Sequence, residues 1–166
     1  MSLVLERTFE SRWKLLEAAR DRIAVAETLP SLIEVVRSTV RAVCSSDGVS
    51  FVLREGDKCH YVEEDAIAPL WKGQRFAMTS CISGWCMLHG RTAAVEDIFA
   101  DARIPHDVYR RTFVKSLIMA PVKDEAPIAA LGTYWRDRRR FSDREIATVE
   151  ALAEAVGQAM KLARAA

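Results

Sequence analysis

The hydrophobic pattern changes period twice along this chain, from helical to alternating and back, and that leaves few folds open. Leu5, Phe9, Trp13, Leu16, Ala19 and Ile23 recur at steps of three and four, which predicts an amphipathic helix over residues 5–26. Thr28-Leu29-Pro30 punctuates it and starts a second helix, with Leu32, Val35, Val36, Thr39, Val40 and Val43 as the buried stripe. After the turn cluster Ser45-Ser46-Asp47-Gly48 the period drops to two. Val49, Phe51 and Leu53 alternate with Ser50, Val52 and Arg54, and His60, Val62 and Glu64 alternate with Cys59, Tyr61 and Glu63. Glu55-Gly56-Asp57-Lys58 joins the two runs as a β-hairpin.

A less regular stretch follows through Pro69, Trp71, Gly73 and Phe76. Thr79-Ser80 is placed to cap a short helix, Cys81 to His89, which Gly90 ends. Thr92 to Glu96 reads as a strand, and Asp97 to Lys115 as a polar excursion holding a short helix, Asp107 to Thr112. Ser116 to Val122 and Ile128 to Trp135 are two apolar strands around an Asp124-Glu125-Ala126-Pro127 turn. Ser142-Asp143-Arg144-Glu145 is a capping box, and the helix behind it carries a seam of Ile146, Val149, Ala153, Val156, Met160 and Ala163. Helices at the ends and strands between them predict an α+β domain, a central antiparallel sheet with helices on its faces.

With 166 residues, the chain suits one folded domain behind a leading helix: residues 1–27 as the amphipathic helix, residues 28–166 as the body with its C-terminal linker helix. A net charge of +1 argues against a dedicated nucleic-acid binder. No apolar run approaches the ~20 residues that cross a bilayer, so direct membrane insertion is not expected. The N-terminus lacks the basic start and small-residue cleavage site of a signal peptide, so a cytoplasmic location is expected. Four cysteines without a Cys-x-x-Cys pair do not make a disulfide scaffold.

Several segments, in this order, resemble a GAF domain: Thr79-Ser80-Cys81-Ile82-Ser83-Gly84-Trp85, Val95-Glu96-Asp97-Ile98, Lys115 to Val122, Ile128-Ala129-Ala130-Leu131-Gly132, and Phe141-Ser142-Asp143-Arg144-Glu145. The resemblance spans roughly residues 28–163. Its flavour is that of GAF domains in bacterial two-component sensor histidine kinases. It implies a GAF/PAS-like sheet of about six antiparallel strands, with a small-molecule pocket roofed by residues 65–91 and 97–115. It also implies dimerisation through the first and last helices, and a role in a phosphorelay. The chain carries no phosphoacceptor helix and no ATP-binding glycine box, so a kinase or other output domain is expected in a longer parent protein.

Within that resemblance, Trp71, Phe76, Thr79, Ser80, Cys81, Trp85, Arg103, His106, Tyr109 and Phe113 are the candidate pocket residues. Pockets are mostly apolar with a few placed polar groups; the competing reading has the aromatics as core filling. No cofactor is expected beyond an unidentified small ligand. Cys81-x4-Cys86-x2-His89 offers metal-ligand types, with His60 or His106 to complete a site, yet Cys81 and Cys86 stand about 500° apart around a helix. No metal site is expected. Cys59-His60 matches the pair phytochromes use for chromophore attachment, but it falls on a strand.

Cys86 stands where free methionine-R-sulfoxide reductases of this fold carry a cysteine. Their later Pro-His-x-x-Cys-Asp is met only by Pro105-His106-Asp107-Val108-Tyr109, without its cysteine. The cyclic-nucleotide signature needs an asparagine, and this chain has none. Arg136-Asp137-Arg138-Arg139-Arg140 could contact phosphate or form a wet turn.

The terminal helices are the expected dimer surface, with Trp13, Leu16 and Ile23 on one and Val149, Val156 and Met160 on the other. The alternative is packing of those helices on each other within one chain. The functional expectation is a sensory input module that binds a small ligand, dimerises, or both. A ligand-free dimerisation module plugged by Met78, Trp85, Met87 and Phe113 stands second, and a Cys86 thiol enzyme third.

Overall fold

The computed structural model describes residues 2–165, with side chains for Thr8 and from Glu10 onward; Leu5 and Phe9 of the expected stripe therefore lie outside the described side chains. Helices α1 (Ser2–Ala24) and α2 (Leu29–Cys44) open the chain, and α5 (Asp143–Ala165) closes it. Between them run β1 (Gly48–Glu55), β2 (Lys58–Ala66), β3 (Arg75–Ala77), α3 (Ile82–His89), β4 (Ala93–Val95), α4 (His106–Tyr109), β5 (Ser116–Asp124) and β6 (Ala126–Trp135). The six strands form one antiparallel sheet in the order β3-β2-β1-β6-β5-β4.

The sheet divides the protein into two cores. On one face α1, α2 and α5 pack against Val49, Phe51, Ile118, Ala120, Val122, Ala129, Leu131 and Trp135. The residues alternating with these, including Val52, Leu117, Met119, Ala130 and Tyr134, face the other way, under a roof of α3, α4 and the connecting loops. Strand alternation thus sorts adjacent side chains into separate cores. Helices α1 and α5 run side by side in one direction: Arg12–Arg20 border Ser142–Ala151, and Glu27–Leu32 lie beside Met160–Arg164.

Local chemistry accounts for the helix ends. Thr28 accepts from the Ser31 amide while the Ser31 hydroxyl accepts from the Thr28 amide, and Pro30 sits in the first turn. The Ser142 amide donates to Glu145 at 2.9 Å and the Glu145 amide donates back to the Ser142 hydroxyl at 3.1 Å, the capping box read from the sequence. Gly157 lets α5 cross β5 closely, since a Cβ there would collide with the Lys123 carbonyl oxygen.

Three expectations are corrected. Thr79-Ser80 do not cap α3: residues 78–80 form a separate 3-10 turn, Ser80 Oγ donates back to the Ala77 carbonyl, and extended Cys81 takes the cap position. The short helix expected over 107–112 is instead His106–Tyr109, ended where the Thr112 amide and hydroxyl both take the Tyr109 carbonyl. The irregular stretch contains β3, three residues paired with the start of β2 and too short to show a period.

Candidate functional site

The roof side of the sheet holds the candidate site. Strict alternation along β2 would place Glu64 with His60 and Val62. A bulge intervenes: Phe51 pairs with Glu63 and Val52 with Tyr61, leaving Val62 as the extra residue. Glu64 thereby turns to the roof face, opposite Ser50. Its carboxylate accepts from three successive amides, Leu70, Trp71 and Lys72, at 2.8, 2.9 and 2.6 Å. The loop is further tied where the Gly73 amide donates to the Tyr61 carbonyl and the Tyr61 amide to Gln74. These bonds fold Trp71 inward.

Trp71 is the centre of an aromatic plug. Its ring lies 4.7 Å from Tyr109, 5.5 Å from Tyr134 and 5.7 Å from Tyr61, and Tyr61 meets Phe76 edge-on at 5.5 Å. Such tilted and edge contacts suit the ring quadrupoles. The Tyr61 hydroxyl bonds Ser83 Oγ at 3.0 Å and the Tyr134 hydroxyl bonds Ser50 Oγ at 2.5 Å. Burial raises the pKa of all three tyrosines, so each stays neutral. The space left among Tyr61, Trp71, Phe76, Cys81, Pro105, Val108 and Tyr109 is about 10 Å³, room for roughly one water molecule.

Of the ten expected pocket residues, Trp71, Phe76, Cys81 and Tyr109 converge on this space. Thr79 and Ser80 are exposed on its rim. Trp85 stacks on His89 at 4.6 Å beneath the Arg103 guanidinium at 4.4 Å, and Arg103 is held by Asp101 at 2.7 Å. That guanidinium holds the Asp101 carboxyl below its ordinary range. His106 bonds the Asp101 carbonyl, and Phe113 packs against Gly48. Met78 and Met87, two of the expected plugs, are buried in this core, while Trp85 and Phe113 are half-buried at its border.

Sequence reasoning missed Tyr61, Pro105, Val108 and Glu64. Tyr61 was legible in its alternation with Cys59; Glu64 was not, because the bulge moved it.

The thiols differ sharply. Cys81 Sγ lies 3.3 Å from Ser83 Oγ, and the Cys59 thiol, Ser83 and the nearby Gly84 amide hold its pKa below the usual thiol value, at about 6. Cys59 is correspondingly raised. Cys86 is fully buried, donates to the Met119 carbonyl at 3.3 Å and is pushed up to about 12 by burial, the opposite of what a nucleophile needs. Cys86 and His89 diverge, one inward and one exposed against the Trp85 carbonyl, and no cluster of three metal-ligating side chains occurs among the described residues. Cys59 faces the roof core while His60 bonds Glu55 on the surface.

On the opposite face, Leu16, Ile23, Val149, Val156 and Met160 are buried within the chain's own helical layer, so their burial needs no second copy. Trp13 is the exception, 53% exposed beside a 660 Å³ cleft between α1 and α5. In the basic turn, Arg139 pairs with Glu145 and lies over Trp135, and Arg138 pairs with Asp97. No described helix is long and apolar enough to cross a membrane.

Known structures share this architecture. A free methionine-R-sulfoxide reductase from Neisseria meningitidis, solved with its substrate, is 15% identical, with a TM-score of 0.81 over 93% of this chain and 90% of that one. The GAF domain of an Acinetobacter phosphoenolpyruvate-protein phosphotransferase is 13% identical, with a TM-score of 0.79 over 93% and 96%. Residues 122 to 287 of a methyl-accepting chemotaxis protein are 15% identical, with a TM-score of 0.75 over 89% and 97%. At these identities the likeness shows the fold alone. No curated protein matches by sequence. A family profile described as GAF domain matches residues 26–161.

Proposed function

The chain belongs to the GAF-domain family, and from that premise we propose that it is a sensory input module controlling an output domain of histidine-kinase type in a cytoplasmic signalling protein. One observation carries the reading: β5 and β6 contribute to both cores, so the strands that floor the roof also seat the terminal helices. A change under the roof that favours one arrangement of β5 and β6 favours one placement of α5. Such coupling requires a ligand with different affinity for two states.

In this reading the terminal helices also join two copies. Trp13, Leu15 and Leu162 are exposed apolar side chains on α1 and α5, the groups that remain for a partner once the internal stripe is satisfied. A small ligand enters by displacing the Trp71 loop.

A second reading is supported by the 10 Å³ cavity: a ligand-free dimerisation module whose aromatic plug is permanent. Paired native and denaturing mass spectrometry of the whole chain tests both. A dimer carrying an added mass that denaturation releases fits the sensor. A bare dimer that no small-molecule mixture stabilises against heat shifts the conclusion to the dimerisation module. A monomer at all concentrations overturns both.

A further inference from the structure

Three sulfur atoms meet beneath the roof. Cys59, on β2, is fully buried with its thiol 3.2 Å from Met78 Sδ. Cys81, whose sulfur lies 3.5 Å from the carbonyl of Ala77 next to Met78, shares the same buried cluster and is electrostatically linked to Cys59. Cys81 stands at the extended residue before the eight-residue α3, its sulfur 3.3 Å from the Ser83 hydroxyl and near the first amides of that helix. Helix-start amides stabilise negative charge on such a group. Cys81 also lines the small cavity, whose volume suits a molecule hardly larger than water. Cys44 and Cys86 lack this setting, since burial pushes each up to about 12.

We propose that Cys81 and Cys59 form a hydroperoxide-responsive thiol pair, which hydrogen peroxide converts to a disulfide linking β2 to the start of α3. The Cys81 thiolate attacks one peroxide oxygen, the O–O bond breaks, and hydroxide leaves and takes up a proton as water. Cys81 is then a sulfenic acid. The Cys59 sulfur attacks that sulfur, the S–O bond breaks, and the departing hydroxyl leaves as a second water with the Cys59 proton. Two thiols are oxidised, one peroxide is reduced, and one disulfide and two waters result.

Closing the sulfurs to an S–S bond of ~2.05 Å withdraws Cys81 from Ser83. Ser83 is also the partner of Tyr61, so oxidation reaches the aromatic plug through one hydroxyl. The thiol chemistry is a property of these side chains and does not depend on which output domain the module controls.

The test uses the whole chain, reduced, freed of reductant and exposed to a small excess of hydrogen peroxide, then alkylated and mapped without reduction. The expected product has lost two of its four thiols, with a peptide bearing Cys59 joined to one bearing Cys81, and dithiothreitol restores both. Cys59→Ser should leave a sulfenic acid at Cys81 that dimedone traps, and Cys81→Ser should slow thiol loss about tenfold or more. Four thiols surviving a large peroxide excess in the wild-type chain overturn the proposal. So does a cross-link that involves Cys44 or Cys86 instead, and neither of those readouts depends on a variant folding.

Discussion

Glu64 shows what a single carboxylate can do to a surface loop. Three amides converge on it, and the loop they belong to has no regular structure of its own. Glu64→Ala leaves those amides without their acceptor, an expected loss of about 1–3 kcal/mol in urea unfolding, with Trp71 emission shifted to the red as the loop loosens. Trp71→Ala should cost about 3–5 kcal/mol through the cavity it opens, and indole should then raise the variant's melting temperature but not the wild type's. Cys81 gives a sign to the pH dependence. Its folded value is near 6, against about 8.5 for a free thiol, so between those values the unfolded chain binds the extra proton and stability rises with pH. That contribution is complete above about pH 8.5 and lost as pH falls through 6. The facing groups, Cys59, Tyr61, Tyr109 and Tyr134, are all raised and stay neutral across this window. Stability curves of Cys81→Ser should therefore be flatter from pH 6 to 8.5. The sequence marked Trp71, Phe76, Cys81 and Tyr109 by type and position. Arg103 and Thr79 were equally suitable by type, and only the fold separates a rim or a salt bridge from a lining.

Elements with a sustained period were readable, and short or interrupted ones were not. α2 and α5 announced themselves by caps and stripes, and the β1–β2 hairpin by alternation around Gly56. β3 has three residues and α4 four, less than one full repeat of any pattern, so their existence is set by what they pack on. The bulge at Val62 costs no hydrophobic residue and leaves no compositional mark. Gly157 had a further meaning hidden in a helix: α5 touches the β5 backbone there. Gly157→Ala gains helix propensity but must push α5 off Lys123, so a net loss of about 1–3 kcal/mol is expected, measured by denaturant titration, with near-native helix content by circular dichroism.

For the whole molecule, the α+β class and antiparallel sheet followed from where the two periods fall. The division of apolar residues between two cores also followed from alternation, since Val49 and Phe51 separate from Val52, and Ile118 from Leu117 and Met119. The destination of the terminal helices did not follow, because an apolar stripe looks the same whether its own chain or a second copy covers it. Trp13 is what the covering leaves over. If it anchors a dimer, Trp13→Ala should weaken self-association by about 2 kcal/mol or more, roughly thirtyfold in sedimentation equilibrium, with the monomer's melting temperature little changed.

The strand order has a consequence for how the chain comes to be folded at all. β1 sits in the middle of the sheet, hydrogen-bonded to β2 on one side and β6 on the other. Gly48 meets Tyr134 and Leu53 meets Ala129, so the second partner is made roughly 80 residues later, a wait of about 4–16 s at ribosomal rates of about 5–20 residues per second. During that interval the nascent β1–β2 hairpin presents an unpaired inner edge and two apolar faces. Closure of so distant a pairing is slow in its own right. The interval between emergence of β1 and arrival of β6 is thus the period in which this chain is most exposed to pairing with a neighbour, and in which a chaperone would have most to hold.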